Sequence, residues 1–346
     1  YGTVVSDTQA PNIAREVGLA VLPKNVPAVS VSRACASANQ AITGAAEMIE
    51  VGYADVVIAG GGESLSRIPI TASDRLSRSL VRAAKGKTLS RKIAAFRGLR
   101  PRDLVPVTPA IAEPSTGETM GESAERMAKE NGISREDQDG WALRSHRLAA
   151  AGTRDGRLTK ELVSVYVPPD YETVVSGDAG IRIDTSSEQL AKLRPVFDRK
   201  SGSVTAGNSS PLTDGASAVV LMNGEKALAE GIEPLGWVRS WAWAGLDPSG
   251  QLLQGPAYAV PIALERAGLS MKDIGLMEMH EAFAAQVLSN LQALSSKSFA
   301  ESELGHTEAV GHPDIERINV MGGSICLLYT SPSPRDRTRS RMPSSA

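Results

Sequence analysis

The sequence is poor in cysteine and in aromatic residues, has almost no net charge, and lacks long apolar runs. Only Cys35 and Cys326 occur in 346 residues, which excludes a fold held together by several disulfides and favours an intracellular protein. The formal charge of −2 gives no overall basic surplus and argues against nucleic acid as a partner. Because no apolar run is long enough to span a bilayer, a membrane-spanning helix is not expected.

What the sequence does contain is typical of a folded chain with about two domains. Hydrophobic residues make up 42 % and charged residues 22 %, which is enough to bury a core. Aromatics are only 4 %, whereas there are 32 glycines. Such small residues suit close packing of helices on strands.

The first 70 residues have the pattern of a β–α–β unit. Residues 26–32 alternate like a strand, 38–50 carry apolar residues at helical spacing, and 54–62 form a short apolar run that ends in glycines. Consecutive units of this kind predict a parallel sheet with right-handed crossovers.

A helical insertion is predicted over about 71–202. Residues 75–102 contain ten Lys or Arg and no acid, with apolar residues at helical intervals, and predict a basic amphipathic hairpin broken near Gly86. A solvated positive face is an equally valid interpretation of that pattern. Two further helices are predicted, one ending at Gly132 and one running from a cap at Ser134 to Gly152, followed by polar, loop-rich sequence.

Compact α/β character then returns. Residues 217–222 and 274–279 predict strands, and residues 256–268 and 281–294 predict helices. The fold class is therefore α/β, with two similar β/α halves and a helical insertion.

Cys35 is the first candidate for chemistry. It lies in SRACASAN between a predicted strand and a predicted helix, where backbone N–H groups and the helix dipole should lower the pKa of a thiol. Its small neighbours would let a bulky substrate approach the sulfur. Considered alone, however, a single cysteine is more often a small buried apolar residue.

Four motifs in order resemble the thiolase family. They are SRACASANQAI with AGGGESLSRIP (59–69), MGESAERMAKENGISREDQD (120–139), VTAGNSSPLTDGASAVVLM (204–222), and MHEAFA (279–284) with INVMGGSI (318–325). The resemblance covers roughly residues 1–325 and implies a layered α-β-α-β-α core with a helical loop-domain insertion. It implies an N-terminal domain at 1–222, which includes the insertion, and a C-terminal domain at 223–325.

The resemblance also implies roles for individual residues. Cys35 corresponds to the nucleophile that carries the acyl group as a thioester. His280 stands where most thiolases have Asn, at the oxyanion hole, and the HEAFA form resembles the thiolase component of fatty-acid β-oxidation complexes; capping of the following helix is its structural alternative. The positions that match the coenzyme A pantetheine tunnel are Met120, Ala206, Ser210, Ala282 and Phe283. Ordinary packing is the alternative for these, above all for Ala206 and Ala282, and Thr119 departs from the His often found beside the Met.

The remaining histidines and polar motif residues receive no catalytic role. The family's GHP histidine follows the GGSI segment, whereas the Gly311–His312–Pro313 triplet precedes it, so we interpret His312 as coincidental. His146 and His306 are predicted to lie on the surface, and Cys326 does not match the family's second cysteine. Asn208 and Asp214 are interpreted as loop-shaping residues.

Residues 326–346 do not continue the pattern. The segment CLLYTSPSPRDRTRSRMPSSA is rich in Ser, Pro and Arg, has no periodicity and interrupts an apolar motif. We interpret it as foreign sequence, with a disordered tail as the alternative. A thiolase truncated at both ends, without its GHP histidine, is expected to react slowly or not at all.

The predicted activity of the complete enzyme is acyl transfer in fatty-acid β-oxidation, in which 3-ketoacyl-CoA is cleaved with CoA. Coenzyme A is a substrate, and neither a metal nor a bound cofactor is implied. The alternatives are a biosynthetic acetoacetyl-CoA thiolase and a non-catalytic acyl-CoA-binding subunit. Expected partners are acyl-CoA, a second copy in a homodimer, a hydratase/dehydrogenase α-subunit, and a membrane surface contacted through 75–102. The expected location is the cytoplasm of a bacterium or the mitochondrion of a eukaryote.

Overall fold

The structure, a computed structural model, describes residues 1–107 and 112–327. Most of the predicted tail, residues 328–346, therefore lies outside the described residues. The helices are α1 Ile13–Val21, α2 Ser37–Glu50, α3 Asp74–Lys85, α4 Leu89–Ala94, α5 Met120–Glu130, α6 Arg135–Arg154, α7 Ser187–Ala191, α8 Gly224–Ala229, α9 Gly255–Ala267, α10 Ala284–Ser295 and α11 Lys297–Phe299. The strands are β1 Val56–Ser64, β2 Val165–Tyr166, β3 Val174–Val175 and β4 Asp214–Met222.

The main sheet pairs β1 with β4 in antiparallel register, with Val56 opposite Met222 and Ser64 opposite Asp214. In the first 70 residues, the parallel pairing predicted for the β–α–β unit is reduced to isolated bridges, which join Gly2 to Gly61 and to Val31. The prediction of a strand over 26–32 is therefore wrong in extent, because only the three residues beside it, 1–3, offer it a partner.

The glycine run of β1 is explained by close approach of backbones. A Cβ on Gly61 would lie 2.7 Å from the carbonyl oxygen of Gly2, and one on Gly60 would lie 2.1 Å from that of Ser217. Only glycine lets the three chain segments lie this close together. Helix α2, predicted over 38–50, is confirmed and packs on β1.

The basic hairpin is confirmed as α3 and α4. The hydroxyl of Ser73 accepts a hydrogen bond from the Leu76 N–H and caps α3, while Thr88 caps α4 in the same way, with Gly86 at the break between them. Apolar side chains on the two helices are exposed, as is the base-rich face. The exposed apolar residues are Leu80, Val81, Leu89 and Ile93.

Helices α5 and α6 begin and end where their capping residues predict. Thr119 and Glu122 form a reciprocal capping box at the start of α5, and Gly132 follows its end with φ +64°, a left-handed conformation that favours glycine. Ser134 accepts a hydrogen bond from the Asp137 N–H and caps α6. Both predicted helices are confirmed, although α6 runs on to Arg154.

Helix α10 begins three residues later than the apolar pattern predicts. Phe283 is extended, with φ −148° and ψ 143°, because its segment pairs with Ser209. The predicted strand over 274–279 is reduced to one parallel bridge between Met277 and Ile318. Helix α9 and strand β4 match the predictions for 256–268 and 217–222.

The core lies between α6 and α10. Its buried members include Trp141, Leu143, Val287, Leu291 and Ile318. Among the described helices, none combines the length and apolarity needed to cross a membrane. Nor do the residues of these ranges place three or more His, Cys, Asp or Glu side chains where they would hold a metal ion.

Candidate active site

Cys35 lies on a tight turn just before α2. The carbonyl of Ala34 accepts hydrogen bonds from the backbone N–H of Ser37 and from its hydroxyl, at 3.1 and 2.6 Å. The Ser37 hydroxyl in turn accepts from the Arg33 N–H at 2.8 Å. Ala34 has φ +44°, in the left-handed region that residues with a Cβ seldom occupy. This turn leaves Cys35 exposed at the start of the helix.

The electrostatics of Cys35 differ from the expectation. Although Cys35 is accessible from solvent, the protein atoms packed around its side chain reduce the hydration of the sulfur and raise the pKa of the thiol, and the Glu63 carboxylate raises it slightly further. A backbone hydrogen bond lowers it, but by less. The predicted lowering of the pKa is therefore wrong, because loss of hydration outweighs the favourable position at the helix start. The resting thiol is protonated at neutral pH and requires a base before it can attack.

His280 is held by the GGSI segment. Its Nδ1 lies 2.7 Å from the Oγ of Ser324, and the same Oγ accepts a hydrogen bond from the Glu281 N–H at 2.7 Å. His280 is accessible from solvent, but the protein atoms around its ring reduce the hydration of the imidazole and lower its pKa, so the ring is neutral at pH 7. The Nε2 atom makes no hydrogen bond within the described ranges.

Glu281, which has no role in the sequence interpretation, is the centre of a buried polar network. It is 0 % exposed. Its Oε1 accepts from Trp141 Nε1 at 2.9 Å and from Asn319 Nδ2 at 2.8 Å. Its Oε2 accepts from Ser145 Oγ at 2.7 Å and from the Ile325 N–H at 3.2 Å. The network joins the HEAFA segment to α6 and to the chain that leads into GGSI.

The space beside this network admits no further side-chain atoms. A Cβ on Gly323 would lie 2.3 Å from the carboxyl carbon of Glu281. A carboxylate directly before an apolar helix was visible in the sequence as EAFAAQVL, but nothing local to it indicated burial. Its donors come from positions about 40 and 140 residues away.

Three of the five predicted tunnel residues lie in one cluster. Met120, Ala282 and Phe283 pack together with Phe197 and Leu253. The rings of Phe197 and Phe283 meet edge to face, with centroids 6.1 Å apart. The cluster provides an apolar wall where α5 meets the start of α10.

Ser210 is joined to the same region through its backbone. Its N–H donates to the carbonyl of Ala282 at 2.9 Å, and its hydroxyl donates to the carbonyl of Ser324 at 2.7 Å. Ala206, by contrast, is exposed. The described residues contain no hydrogen bond between the Cys35 side chain and His280, so the two lie in separate hydrogen-bonded groups.

The prediction that His146 lies on the surface is wrong. It is 5 % exposed, and its Nδ1 accepts a hydrogen bond from the Arg182 N–H at 3.2 Å. Burial and the Arg182 charge lower the pKa of His146 to about 4. Its position on α6 faces the chain at 181–182, a contact that the helical pattern does not reveal. His306 and His312 are exposed.

The other motif residues have structural contacts. Asn208 is buried, accepts from the Thr205 N–H at 2.8 Å and donates to Asp139 at 2.9 Å. Asp214 accepts from the Ser66 N–H at 2.8 Å. Cys326 is buried beside Ser145, and burial raises the pKa of its thiol to about 11.

An exposed thiol on a strained turn and a neutral imidazole held by a serine are groups that covalent acyl transfer uses. Comparison with known proteins identifies the class. A family model for the N-terminal thiolase domain matches residues 1–225, and one for the C-terminal thiolase domain matches residues 232–329. The chain belongs to the thiolase family and has the thiolase fold.

Individual relatives narrow the comparison. A 3-ketoacyl-CoA thiolase of Yersinia pestis (strain Pestoides F) is 51 % identical over 326 residues, which are 94 % of this chain and 74 % of the relative. The crystal structure of Bacillus anthracis acetyl-CoA acetyltransferase matches with a TM-score of 0.77 and 33 % identity, over 95 % of this chain and 75 % of the other. Human mitochondrial 3-ketoacyl-CoA thiolase in complex with CoA matches with a TM-score of 0.74 and 31 % identity, over 94 % and 73 %.

Proposed function

We propose that this protein is an acyltransferase that cleaves 3-ketoacyl-CoA with CoA, giving acyl-CoA and acetyl-CoA in fatty-acid β-oxidation. The main support is the exposed thiol of Cys35 on the strained turn before α2, within a chain that is 51 % identical to a 3-ketoacyl-CoA thiolase. Coenzyme A is proposed as a substrate, which the CoA complex of the human mitochondrial relative supports.

The proposed reaction has two halves. A base takes the proton of the Cys35 thiol, and the thiolate attacks the 3-keto carbon of the substrate. The bond between C2 and C3 breaks, acetyl-CoA leaves as an enolate that takes up a proton, and the shortened acyl group remains on the sulfur as a thioester. The thiolate of a second CoA attacks that thioester, releases acyl-CoA and regenerates the Cys35 thiolate.

The surrounding residues have proposed supporting roles. The His280 imidazole is proposed to donate a hydrogen bond to the carbonyl oxygen as it gains negative charge. Met120, Ala282 and Phe283 are proposed to line the pantetheine arm of CoA, which their shared cluster supports. Ser210 is proposed to lie at the same wall, and Ala206 to contact the arm from its exposed position.

The acyl-enzyme provides the test. In a variant called the extended version, the residues after Ile325 are replaced by the corresponding C-terminal segment of the Yersinia pestis relative. This variant is incubated with isotope-labelled acetyl-CoA, and the Cys35 peptide is analysed by mass spectrometry. We expect one acetyl group on Cys35 and none in Cys35→Ser. Absence of the adduct in the extended version would overturn the proposal.

Kinetic and binding measurements distinguish the proposed activity from two other functions. A biosynthetic acetoacetyl-CoA thiolase, which the likeness to acetyl-CoA acetyltransferase favours, would prefer acetoacetyl-CoA over longer substrates. A non-catalytic acyl-CoA-binding subunit would bind acyl-CoA without labelling Cys35. Rates with ketoacyl chains of 4 to about 16 carbons, compared in the extended version, distinguish these cases.

We further propose that the hairpin α3–α4 contacts an anionic membrane surface. The ten basic residues over 75–102, seven of which lie within the hairpin, and the exposed apolar side chains of Leu80 and Ile93 support this. In co-sedimentation, binding to vesicles with 30 % phosphatidylserine should weaken several-fold in 0.5 M salt and in the double variant Arg78→Glu, Arg82→Glu. The matched control, Arg154→Glu, should bind as the wild type does. Binding insensitive to salt and to anionic lipid would remove the proposal.

The remaining proposals concern assembly and location. We propose that the chain forms a homodimer, supported by exposed apolar residues on β4, and that a hydratase/dehydrogenase α-subunit is a further partner. The proposed location is the bacterial cytoplasm or, in a eukaryote, the mitochondrion, and cell fractionation with an antibody tests it. The division into domains at 1–222 and 223–325 is also a proposal. Limited proteolysis tests it, because cleavage near residue 222 should release two resistant fragments.

A further inference from the structure

Ser324 lies where three motif segments of the site meet. Its carbonyl accepts a hydrogen bond from the Ser210 hydroxyl, and its own hydroxyl lies 2.7 Å both from the Glu281 backbone nitrogen and from His280 Nδ1. The residue is 8 % exposed, so the protein rather than solvent must satisfy most of its hydrogen-bonding groups.

The hydroxyl of Ser324 has one proton to donate and two lone pairs to accept with. The Glu281 N–H occupies one lone pair, because a backbone amide can only donate. Within the described ranges, the one acceptor in reach of the hydroxyl proton is His280 Nδ1. If Nδ1 carried a proton, both neighbours would donate to the same oxygen, and the Ser324 proton would have no partner.

We infer that Ser324 is a positioning residue that holds the neutral His280 imidazole in the tautomer protonated at Nε2. The buried carboxylate of Glu281 strengthens this arrangement, since its four donors fix the backbone from which the Glu281 N–H is presented. The orientation of the serine hydroxyl is thus set by a network that does not touch the imidazole.

The consequence for chemistry rests on the proposed function. A neutral imidazole has a single N–H, and only the Nε2 tautomer leaves that donor on the ring nitrogen that no other residue of the described chain uses. An oxyanion needs a donor that is already oriented before charge develops. Ser324 therefore determines whether His280 offers a proton or a lone pair to a substrate carbonyl.

The tautomer is measured directly, without any activity, by long-range 1H–15N correlation spectra of the chain labelled with 15N-histidine at pH 7. The chain has only four histidines, and the signals lost in His280→Asn assign the ring of interest. The nitrogen that couples to both ring carbon-bound protons is Nε2, so its chemical shift reports whether it carries the proton. We expect a protonated Nε2 and an unprotonated Nδ1.

Two substitutions distinguish positioning from a purely structural role. In Ser324→Ala, the two nitrogen shifts should move towards each other as the Nδ1-protonated form gains population, whereas Ser324→Thr retains the hydroxyl and should keep the wild-type shifts. The exposed Ser302→Ala is the control. A proton on Nδ1 in the wild type, or unchanged shifts in a folded Ser324→Ala, would overturn the inference. If Ser324→Ala does not fold, the wild-type and Ser324→Thr spectra still decide.

Kinetics of the extended version separate this inference from the proposed function. Ser324→Ala should lower kcat on the order of 10-fold with little change in KM, and Ser324→Thr should restore it, because the donor acts chiefly on the transition state. Equal kcat for the wild type and Ser324→Ala would contradict a catalytic consequence. No activity in any version would reject the proposed function while leaving the tautomer result intact.

Discussion

At the scale of single residues, His146 links stability to pH. Its folded-state pKa of about 4 lies below the ordinary value of 6.5, so between these values the unfolded chain binds a proton that the folded chain does not. Stability should therefore rise with pH from about 4 to 6.5 and be lost as the pH falls. The full difference in the free energy of unfolding is on the order of 3 kcal/mol.

Urea denaturation at pH 7 and pH 5 tests this link. His146→Asn, whose Oδ1 takes the place of Nδ1 and can still accept from the Arg182 N–H but cannot titrate, should lose less stability on acidification than the wild type does. The exposed His306→Asn serves as the matched control and should keep the wild-type dependence. If His146→Asn retains the full loss between the two pH values, the burial of His146 is not its cause.

Cys35 illustrates a conflict between two local effects. The sequence places the thiol at a helix start, where the dipole favours an anion, and the structure confirms that position. The direction of its pKa depends instead mainly on the loss of hydration in the folded chain, to which the charge of Glu63 on β1 adds a smaller effect. The position of Cys35 at the helix start was predictable from the local sequence pattern. The combined effect of charge and hydration on its pKa was not.

At the scale of elements, Glu281 joins α6, α10 and the GGSI segment. Glu281→Ala should destabilise the fold by about 3–5 kcal/mol, because it leaves buried donors from Trp141, Ser145 and Asn319 without an acceptor. Glu281→Gln should also destabilise, since either oxygen that becomes an NH2 group meets two donors. Urea denaturation measures both.

A matched control for this experiment is Glu316→Ala. Glu316 is exposed, and its removal should change stability by no more than about 0.5 kcal/mol. A loss below about 1 kcal/mol in Glu281→Ala would mean that water replaces the carboxylate. The helices themselves should remain recognisable by circular dichroism, because their caps at Thr119 and Ser134 are untouched.

The elements that the sequence predicted best are those with local signals. Helices α3, α5 and α6 begin at residues whose side chains accept from the first turn, and this chemistry needs no distant partner. The start of α10 was misplaced because Phe283 pairs with Ser209, a residue 74 positions earlier. The helical spacing of apolar residues includes positions 281–283, but pairing with a distant part of the chain keeps these residues outside α10.

At the scale of the whole molecule, the apolar residues of β4 remain uncovered within the described part of the chain. Val220 is 65 % exposed, and its neighbour Val219 is 48 % exposed. An apolar strand of this kind favours association with another copy. Sedimentation velocity should show a dimer that dissociates on dilution, and Val220→Lys should shift it towards monomer.

The control for self-association is Val163→Lys, which alters another exposed valine, away from β4. It should leave the dimer unchanged. A monomer at every concentration, or equal effects of the two substitutions, would remove β4 as the interface. Neither substitution touches Cys35 or the buried network of Glu281, so each variant should keep its fold.

The sequence by itself determined the family, the nucleophile candidate Cys35, the candidate at His280 and most helices, because these depend on short motifs, spacing and caps. Tertiary structure alone decided the antiparallel pairing of β1 with β4, the burial of His146 and the four donors around Glu281. It also decided how Ser324 meets His280. These features join residues tens to more than a hundred positions apart. A local sequence pattern does not indicate which distant residue will donate or accept a given hydrogen bond.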